Sequence, residues 1–488
     1  MDTQDGTSGI ETELTERRVC SECVGEKFLR ARIVKIGDQG KCFYCGQEGR
    51  TFSVDEMADE IESAFDEHYY QTGTEPSALE YAMTRDSPHG WFRDGEPVIE
   101  VVGSVAEIDE APARDICEVL ADRHYDMEAA KMGEECPFDS DSYYAERDTD
   151  DREYSEQWRF FENSLKSEAR FFSRTAEATL AALFESLHEH RTSDGKPVIV
   201  QAGPGTMIHA LFRARVFQSD EKLEAALKRP DLEIGPPPSV LAPAGRMNAR
   251  GISVFYGATA LEIAVAEVRP PVGSRVAVGK FEIIRSVSLL DVEALRSVTV
   301  SGSIFDREFD RSLKRAKFLE RLSHRLTMPV MPDDEPFDYL ATQAVADFLA
   351  TVAEPPIDGI IYPSVQSAEG QFNIVLFQKA ARVEMFDLPK GVEIDAQLYQ
   401  WTDEGREPDY WVSEQVPAAD ATKEDNALDG AGFAFIGPDD SNREFDGREV
   451  TLRLDAESLQ VRHVEKFDIK TVGFPVHRHR SKKREYKF

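Results

Sequence analysis

Long apolar runs and cationic charge are both scarce in this chain of 488 residues. No apolar run approaches the roughly 20 residues that a membrane-spanning helix needs, and the polar start, residues 1–18, lacks the apolar stretch of a signal peptide. We therefore expect a cytoplasmic protein that has no membrane partner. Lys and Arg total 57 against 91 Asp and Glu, and the net charge of −34 repels nucleic-acid phosphates over most of the surface. Nucleic acid is accordingly disfavoured as a partner.

Cysteine is also scarce, and four of the six cysteines form two pairs. Cys20-Ser-Glu-Cys23 is followed, after 18 intervening residues, by Cys42-Phe-Tyr-Cys45. Two such pairs at this separation can supply four thiolates to one tetrahedral ion, which predicts a structural zinc ribbon. The alternative is four buried cysteines without a metal. The two remaining cysteines are interpreted as packing residues or free thiols.

The first 194 residues predict the zinc ribbon and then a helical domain. The ribbon is assigned to residues 1–52 and the helical domain to residues 53–194. Ser53-Val-Asp-Glu56 has the spacing of a capping box and opens an amphipathic pattern. Residues 158–190 contain no proline and carry an apolar stripe at helical spacing, which we attribute to core packing.

From Pro197 onward the apolar pattern changes to short or alternating runs, which predict strands. The predicted strands are 198–201, 211–217, 252–257, 276–289, 358–363 and 372–377. Helices are predicted from a second capping box at Thr259 and near 305–325 and 337–353. Strands and helices without steady alternation predict an α+β domain over residues 195–385, so that the whole chain is a multidomain α+β protein.

Two further segments differ in composition from their surroundings. Residues 134–157 carry ten acidic and two basic side chains, which predicts an exposed, mobile connection. Residues 386–488 contain short apolar runs such as Gly432–Ile436 and are interpreted as a small β-rich appendage. The basic tail His477–Phe488 is interpreted as solvated, although it could also bind the protein itself, a partner or nucleic acid.

Four arginines could form a cationic site in this acidic chain. The two-residue period of strand 211–217 puts Arg213 and Arg215 on one face. Arg246 and Arg250 lie in a glycine-bounded loop, where backbone and guanidinium groups can approach a pyrophosphate. The alternative is ordinary surface charge.

Four more residues could carry chemistry. Tyr256 could stack on a planar heterocycle or be a core residue. Glu267 shares a helix face with apolar side chains, so it is either paired with an arginine or held near a cleft to stabilise positive charge on a ribosyl carbon. Ser364 ends one strand and Asn373 begins the next, and a hydrogen bond to substrate competes with a turn role for Ser364. The sequence contains no GxSxG elbow, so Ser364 is not interpreted as a hydrolase nucleophile.

In their order along the chain these elements resemble the RES domain, a family named for its Arg, Glu and Ser residues. The matching segments are Phe212–Arg215, Gly245–Asn248, Val254–Tyr256, Ala264–Pro270, Asp358–Ser364 and Asn373–Phe377. The resemblance implies an ADP-ribosyltransferase-like fold, and characterised members are bacterial toxins that deplete NAD by hydrolysis or phosphorolysis. It therefore implies NAD as the substrate and an antitoxin or trigger as a possible partner.

The resemblance also implies a role for each candidate residue. Arg213 would bind the NAD phosphates, with Arg215 as the competing choice, and Arg246 and Asn248 would contribute to the same dinucleotide site. The remaining assignments are Tyr256 at the nicotinamide, Glu267 at the ribose, and Ser364 with Asn373 orienting the dinucleotide.

The front of the chain resembles the HEPN-like helical region found before some RES domains. HEPN ribonucleases carry Arg, four to six residues and then His, and these helices contain no convincing copy, so a ribonuclease is disfavoured. Three hypotheses remain. The leading one is cleavage of NAD with water or phosphate as acceptor, the second is transfer of ADP-ribose onto a macromolecule, and the third is a non-catalytic binding module made of the zinc ribbon and the helices.

Overall fold

The computed structural model describes residues 14–78, 80–81, 91–168, 170, 172–328, 330–331, 333–364, 371–403, 405–417, 446–466, 472–476 and 478. The predicted apolar run at 432–436 and, apart from Arg478, the basic tail lie outside these residues. The chain divides into two compact units. Unit 1 comprises residues 1–198 and 294–328, and unit 2 comprises residues 199–293 and 329–488.

The helices and strands are numbered in chain order. Helices α1 to α12 are Lys27–Ile36, Val54–His68, Val98–Ala106, Glu110–Arg123, Met127–Met132, Arg152–Ser167, Arg174–Leu183, Asp220–Lys228, Pro230–Glu233, Leu261–Glu267, Arg307–Thr327 and Glu335–Thr351. Strands β1 to β18 are Arg18–Cys20, Asp38–Lys41, Glu48–Ser53, Tyr69–Gln71, Glu96–Pro97, Tyr143–Glu146, Arg191–Thr192, Ile199–Ala202, Ala210–Phe217, Phe255–Ala258, Arg275–Ile283, Val287–Asp291, Val298–Thr299, Gly359–Pro363, Phe372–Leu376, Glu393–Thr402, Gly405–Gln415 and Leu452–His463. None of the described helices is long and apolar enough to cross a membrane.

Unit 1 opens with a three-stranded sheet in the order β1-β3-β2, after which α2 begins. The predicted capping box at this boundary is confirmed: the amide of Glu56 donates to Ser53 Oγ at 3.1 Å, and the amide of Ser53 donates to Glu56 Oε2 at 2.7 Å. Both bonds satisfy amides that the first helical turn leaves without partners. Local sequence is therefore sufficient to start this helix.

The predicted zinc ribbon and the predicted helical domain share one hydrophobic core. Buried side chains from before the boundary at residue 53, such as Val19 and Ile33, cluster with Met57 and Ile61 of α2. A segment of about 50 residues is marginal for a stable core of its own. The two predicted domains therefore lie together in unit 1, and the boundary between them stays a prediction.

The acidic segment 134–157 is ordered structure, so the prediction of an exposed connection was wrong. It contains β6, which pairs with β4 and with β5, and its Tyr144 is buried in the core of unit 1. The same segment enters α6, where Trp158 is buried. Its aromatic residues bury apolar surface that orders the backbone, and most of its charged side chains stay outside, although Asp151 is buried.

Residues 294–328 belong to unit 1, although the sequence analysis placed them in the α+β domain. Their main element is the predicted amphipathic helix, observed as α11. Its buried Phe318 lies 5.9 Å from Trp158 of α6 between ring centroids. Apolar contact with a partner distant in sequence thus decided which unit contains the helix.

Unit 2 is built on an eight-stranded sheet in the order β18-β11-β9-β10-β15-β14-β12-β8. Neighbouring strands are antiparallel except for the parallel pair β12 and β14. A mixed sheet with helices agrees with the predicted α+β class. The predicted strand 276–289 is two strands, β11 and β12.

Helix α10 packs against β9 and β10, but its predicted capping box is wrong. The helix begins at Leu261, and its N-cap residue Ala260 makes no side-chain cap. The hydroxyl of Thr259 instead contacts the backbone of Phe372, with its oxygen 3.0 Å from the amide nitrogen and 3.3 Å from the carbonyl oxygen. The hydroxyl of Thr259 therefore bonds to the neighbouring strand instead of capping α10.

The segment after residue 385 is β-rich where it is described, but part of it completes the large sheet. Strands β16 and β17 form a two-stranded hairpin, whereas β18 pairs with β11 over much of its length. Leu452 and Leu454 of β18 are buried in the core of unit 2. The predicted appendage is thus only partly peripheral.

Candidate functional site

Four of the eight predicted site residues, namely Arg213, Tyr256, Glu267 and Asn373, line a cavity of about 190 Å³ in unit 2, formed by β9, β10, β14, β15 and α10. Its lining comprises Phe212, Arg213, Ala214, Tyr256, Gly257, Ala258, Ala264, Glu267, Val268, Tyr362 and Asn373. A larger cavity, about 370 Å³, is lined partly by Pro236–Pro238 and Arg382 and contains none of the predicted residues. Because chemical groups rather than volume define a reactive site, the smaller cavity is the candidate functional site.

The carboxylate of Glu267 is the centre of this cavity's polar contacts. Asn373 Nδ2 donates to Glu267 Oε1 at 2.7 Å, and Ser364 Oγ donates to the same oxygen at 3.3 Å. Asn373 is paired in the sheet with Ala258 of β10 on one side and Tyr362 of β14 on the other. Glu267 itself is exposed and lines the cavity, as expected for a carboxylate held near a cleft, and its role there stays a prediction. The sheet brings together residues 106 positions apart and leaves the carboxylate open to a ligand.

The two arginines of β9 have different surroundings. Arg213 is half-buried, donates from Nη1 to the carbonyl oxygen of Tyr256 at 3.0 Å, and lies 5.0 Å from the ring centroid of Phe255. Burial, followed by the charge of Arg215, lowers the pKa of Arg213 to about 10, so Arg213 remains cationic at neutral pH. Arg215 is exposed and hydrogen-bonds the backbone oxygen and carboxylate of Glu233. Of these two arginines, Arg213 lines the cavity.

Tyr256 and Asn248 hold one another in place. The Tyr256 hydroxyl donates to Asn248 Oδ1 at 2.8 Å and accepts from the amide of Met247 at 3.1 Å. Asn248 is buried, and its Nδ2 lies 2.9 to 3.2 Å from three backbone carbonyl oxygens of its own loop. Burial raises the pKa of Tyr256 to about 12, which keeps the phenol neutral at physiological pH. Asn248 thus organises the loop, and its predicted contact with a dinucleotide stays a prediction.

Helix α12 supports the loop that carries Arg246. Gln343 Nε2 donates to the carbonyl oxygen of Gly245 at 2.8 Å, and Thr342 Oγ1 donates to that of Arg246 at 2.5 Å. The guanidinium carbon of Arg246 lies 6.0 Å from the ring centroid of Tyr339 on the same helix. Arg246 is not part of the cavity lining, so any role at the site would be at its margin.

Tyr362 is a cavity residue that the sequence analysis did not select. Burial raises the pKa of its phenol, as do the neighbouring Tyr256 and Glu267, so the group is neutral. The signal that could have found it is the two-residue strand period, because Tyr362 precedes Ser364 by two positions.

The four paired cysteines meet in unit 1 in an arrangement that could hold a metal ion. Their sulfur atoms all lie within 4.8 Å of one another, with Cys20 Sγ 3.5 Å from Cys45 Sγ and Cys23 Sγ 3.8 Å from Cys42 Sγ. Tetrahedral coordination with metal–sulfur bonds of about 2.3 Å separates sulfurs by about 3.8 Å. The donor set and spacing therefore fit zinc, and the identity of the ion stays a prediction.

Hydrogen bonds connect the second cysteine pair to α4. Tyr44, between Cys42 and Cys45, donates from its hydroxyl to Asp115 Oδ2 at 2.6 Å. Arg17 Nη1 donates to the same oxygen at 2.8 Å, and its guanidinium carbon lies 4.5 Å from the ring centroid of Phe43. The cysteine cluster is thus attached to the helical part of unit 1.

Comparison with known families agrees with the order of these elements. Residues 211–401 match the family model of the RES domain, and residues 35–179 match that of HEPN/RES N-terminal domain 1. The resemblance inferred from the sequence is thereby confirmed. No curated protein and no solved structure matches the chain.

Proposed function

Because the chain carries a RES domain preceded by an HEPN/RES N-terminal domain, we propose that its unit 2 cavity binds NAD and breaks the bond between nicotinamide and ribose. Nicotinamide leaves with the electron pair of that bond. The ribosyl carbon then bonds to an oxygen of water or phosphate, giving ADP-ribose or its phosphate ester and releasing a proton from the acceptor. The enzyme would be a glycohydrolase or a phosphorylase according to the acceptor.

The observation that supports this proposal most directly is the fixed carboxylate of Glu267. Positive charge develops on the ribosyl carbon as nicotinamide departs, and a preorganised carboxylate stabilises that charge more in the transition state than in the ground state. Asn373 and Ser364 both donate to one oxygen of the carboxylate. Its exposure leaves room for a ribose to approach.

The rest of the cavity suits a dinucleotide that carries both a flat ring and phosphates. Tyr256 and Tyr362 are neutral phenols that can pack against nicotinamide. Arg213 supplies a positive charge for the pyrophosphate. The net charge of −34 does not prevent this, because screening over roughly 8 to 10 Å lets nearby arginines dominate the local field.

The test is nicotinamide release from NAD by the purified full-length protein, measured with and without phosphate. We expect release by the wild type and a large loss in Glu267→Gln and Arg213→Ala proteins whose unfolding midpoints match the wild type. Greater release with phosphate would identify phosphorolysis. Full activity of both variants would remove these residues from the mechanism.

A second candidate is transfer of ADP-ribose to a macromolecule, favoured by the exposure of Glu267, which a large acceptor could reach. Isotope-labelled NAD incubated with the protein and a cell extract distinguishes the two reactions. Label in free ADP-ribose or its phosphate ester supports the first candidate, and covalent label on protein or nucleic acid supports the second.

At the cellular level, the proposed activity is that of a toxin that depletes NAD and is restrained by an antitoxin or released by a trigger. Induced expression in a test cell should lower cellular NAD with the wild type and leave it unchanged with Glu267→Gln.

The cysteine cluster would hold zinc through Cys20, Cys23, Cys42 and Cys45. Four thiolates fill a tetrahedral shell, so bound zinc would supply structural stability rather than an activated water.

A further inference from the structure

We propose that Asn373 is a positioning residue that fixes the Glu267 carboxylate, and that it does not bind the dinucleotide itself. This inference rests on the proposed function, and it changes the role that the family resemblance implies for Asn373. The amide nitrogen lies 2.7 Å from Glu267 Oε1, closer than the 3.3 Å of the Ser364 hydroxyl. Of the two donors to this oxygen in the described part of the chain, Asn373 is therefore the nearer.

The two partners differ in how firmly they are held. Asn373 is only 3% exposed and lies on β15, whose backbone is hydrogen-bonded to a strand on each side. Glu267 is exposed and is the last residue of the seven-residue helix α10. The buried residue therefore restrains the exposed one, because a long exposed side chain otherwise samples several rotamers.

Electrostatics also favours a positioning role for Asn373. The carbonyl end of a helix carries partial negative charge, which disfavours a carboxylate at that position. An amide donor aimed at the carboxylate offsets this repulsion without adding a charge to the cavity. Among the described residues, both donors to Glu267 reach Oε1, which leaves Oε2 for the ribosyl carbon.

The kinetic test compares Asn373→Ala and Asn373→Asp with the wild type in full-length protein. Asn373→Ala should lower kcat by about 10-fold or more and leave KM within about 3-fold, because the carboxylate loses its orientation and the substrate loses no contact. A rise in KM at unchanged kcat would identify a dinucleotide contact and overturn the proposal. Equal unfolding midpoints in urea exclude a loss caused by misfolding.

The pH profile separates positioning from a merely structural role. Asn373→Asp keeps the shape of the side chain but places a second carboxylate beside Glu267. Repulsion between the two negative charges raises the pH at which both carboxyl groups are ionised. The acid limb of kcat should therefore move to higher pH. The matched control is Gln201→Glu, which adds one negative charge at an exposed residue of the edge strand β8, three strands from β15, and should leave the profile in place. An unshifted profile for Asn373→Asp would contradict the proposal.

A direct titration keeps this inference separate from the proposed function. The Glu267 carboxyl is followed by NMR in protein with ¹³C-labelled glutamate, and its signal is assigned by its absence in Glu267→Gln. We expect the signal to titrate at higher pH in Asn373→Asp than in the wild type and Gln201→Glu, whether or not the protein turns over NAD. An identical titration in all three overturns the inference, whereas failure of the wild type to release nicotinamide overturns only the proposed function.

Discussion

At the scale of single residues, Arg213 and Arg215 differ in what their surroundings leave available. Both lie on β9 two positions apart, but the side chain of Arg215 is bound to Glu233 at the surface and that of Arg213 lines the cavity. The sequence predicted that the two share a face and left the choice between them open. The contact of Arg215 with Glu233, 18 positions away, is one that no strand period specifies, and the choice of phosphate-binding arginine stays a prediction.

This difference predicts unequal effects of two matched substitutions. Arg213→Ala should lower kcat/KM for NAD by about 10- to 100-fold, the size expected when a hydrogen bond to a charged group is lost. Arg215→Ala should change it by less than about 3-fold, because an exposed ion pair contributes little. Steady-state nicotinamide release measures both, and equal losses would show that Arg215 also reaches the substrate.

At the scale of elements, the loop before β10 depends on a glycine. A Cβ added to Gly245 would lie 2.6 Å from both the Tyr256 hydroxyl oxygen and Asn248 Oδ1, the two atoms that join the loop to the strand. In the sequence, the arginines of this glycine-bounded loop indicated a binding role. The tight contact of Gly245 with Tyr256 depends on how the loop packs against β10, which the sequence pattern does not specify.

Gly245→Ala should therefore break the Tyr256–Asn248 hydrogen bond and displace Arg246. We expect a loss of about 1 to 3 kcal/mol in the free energy of unfolding and a raised KM for NAD, because buried polar groups lose their partners. Urea unfolding and steady-state kinetics measure the two effects. The control is Gly447→Ala, where an added Cβ meets no atom within 4 Å. A Gly245→Ala protein as stable as this control would show that the loop can adjust.

At the scale of the whole molecule, the cysteine cluster belongs to a unit that contains far more than a ribbon. Apolar residues from before residue 53 and from α2 to α4 share one core, and Tyr44 joins the second cysteine pair to Asp115. The sequence predicted the four ligands from their spacing alone. It placed them in a separate domain because no local pattern reports which apolar faces meet.

Metal removal should consequently destabilise unit 1 as a whole. A chelator should lower the free energy of unfolding of the full chain by several kcal/mol, because metal binding to a folded site is coupled to folding. Cys45→Ser should produce a similar loss without chelator, and adding chelator to this variant should have little further effect. Thermal unfolding with metal analysis measures both, and a wild type that is insensitive to chelator would indicate four unligated cysteines.

The sequence by itself determined the features that short-range chemistry specifies. These are the paired cysteines, the capping box at Ser53, the approximate positions of most strands between residues 198 and 377, and the order of motifs that matches the RES domain model. Only the tertiary structure decided that Asn373 contacts Glu267, that Thr259 bonds to Phe372 instead of capping α10, and that β18 closes one edge of the sheet. Spacing along the chain specifies caps, ligand pairs and periods, whereas contacts between distant residues depend on how apolar faces pack and how strands pair, and these are properties of the folded chain as a whole.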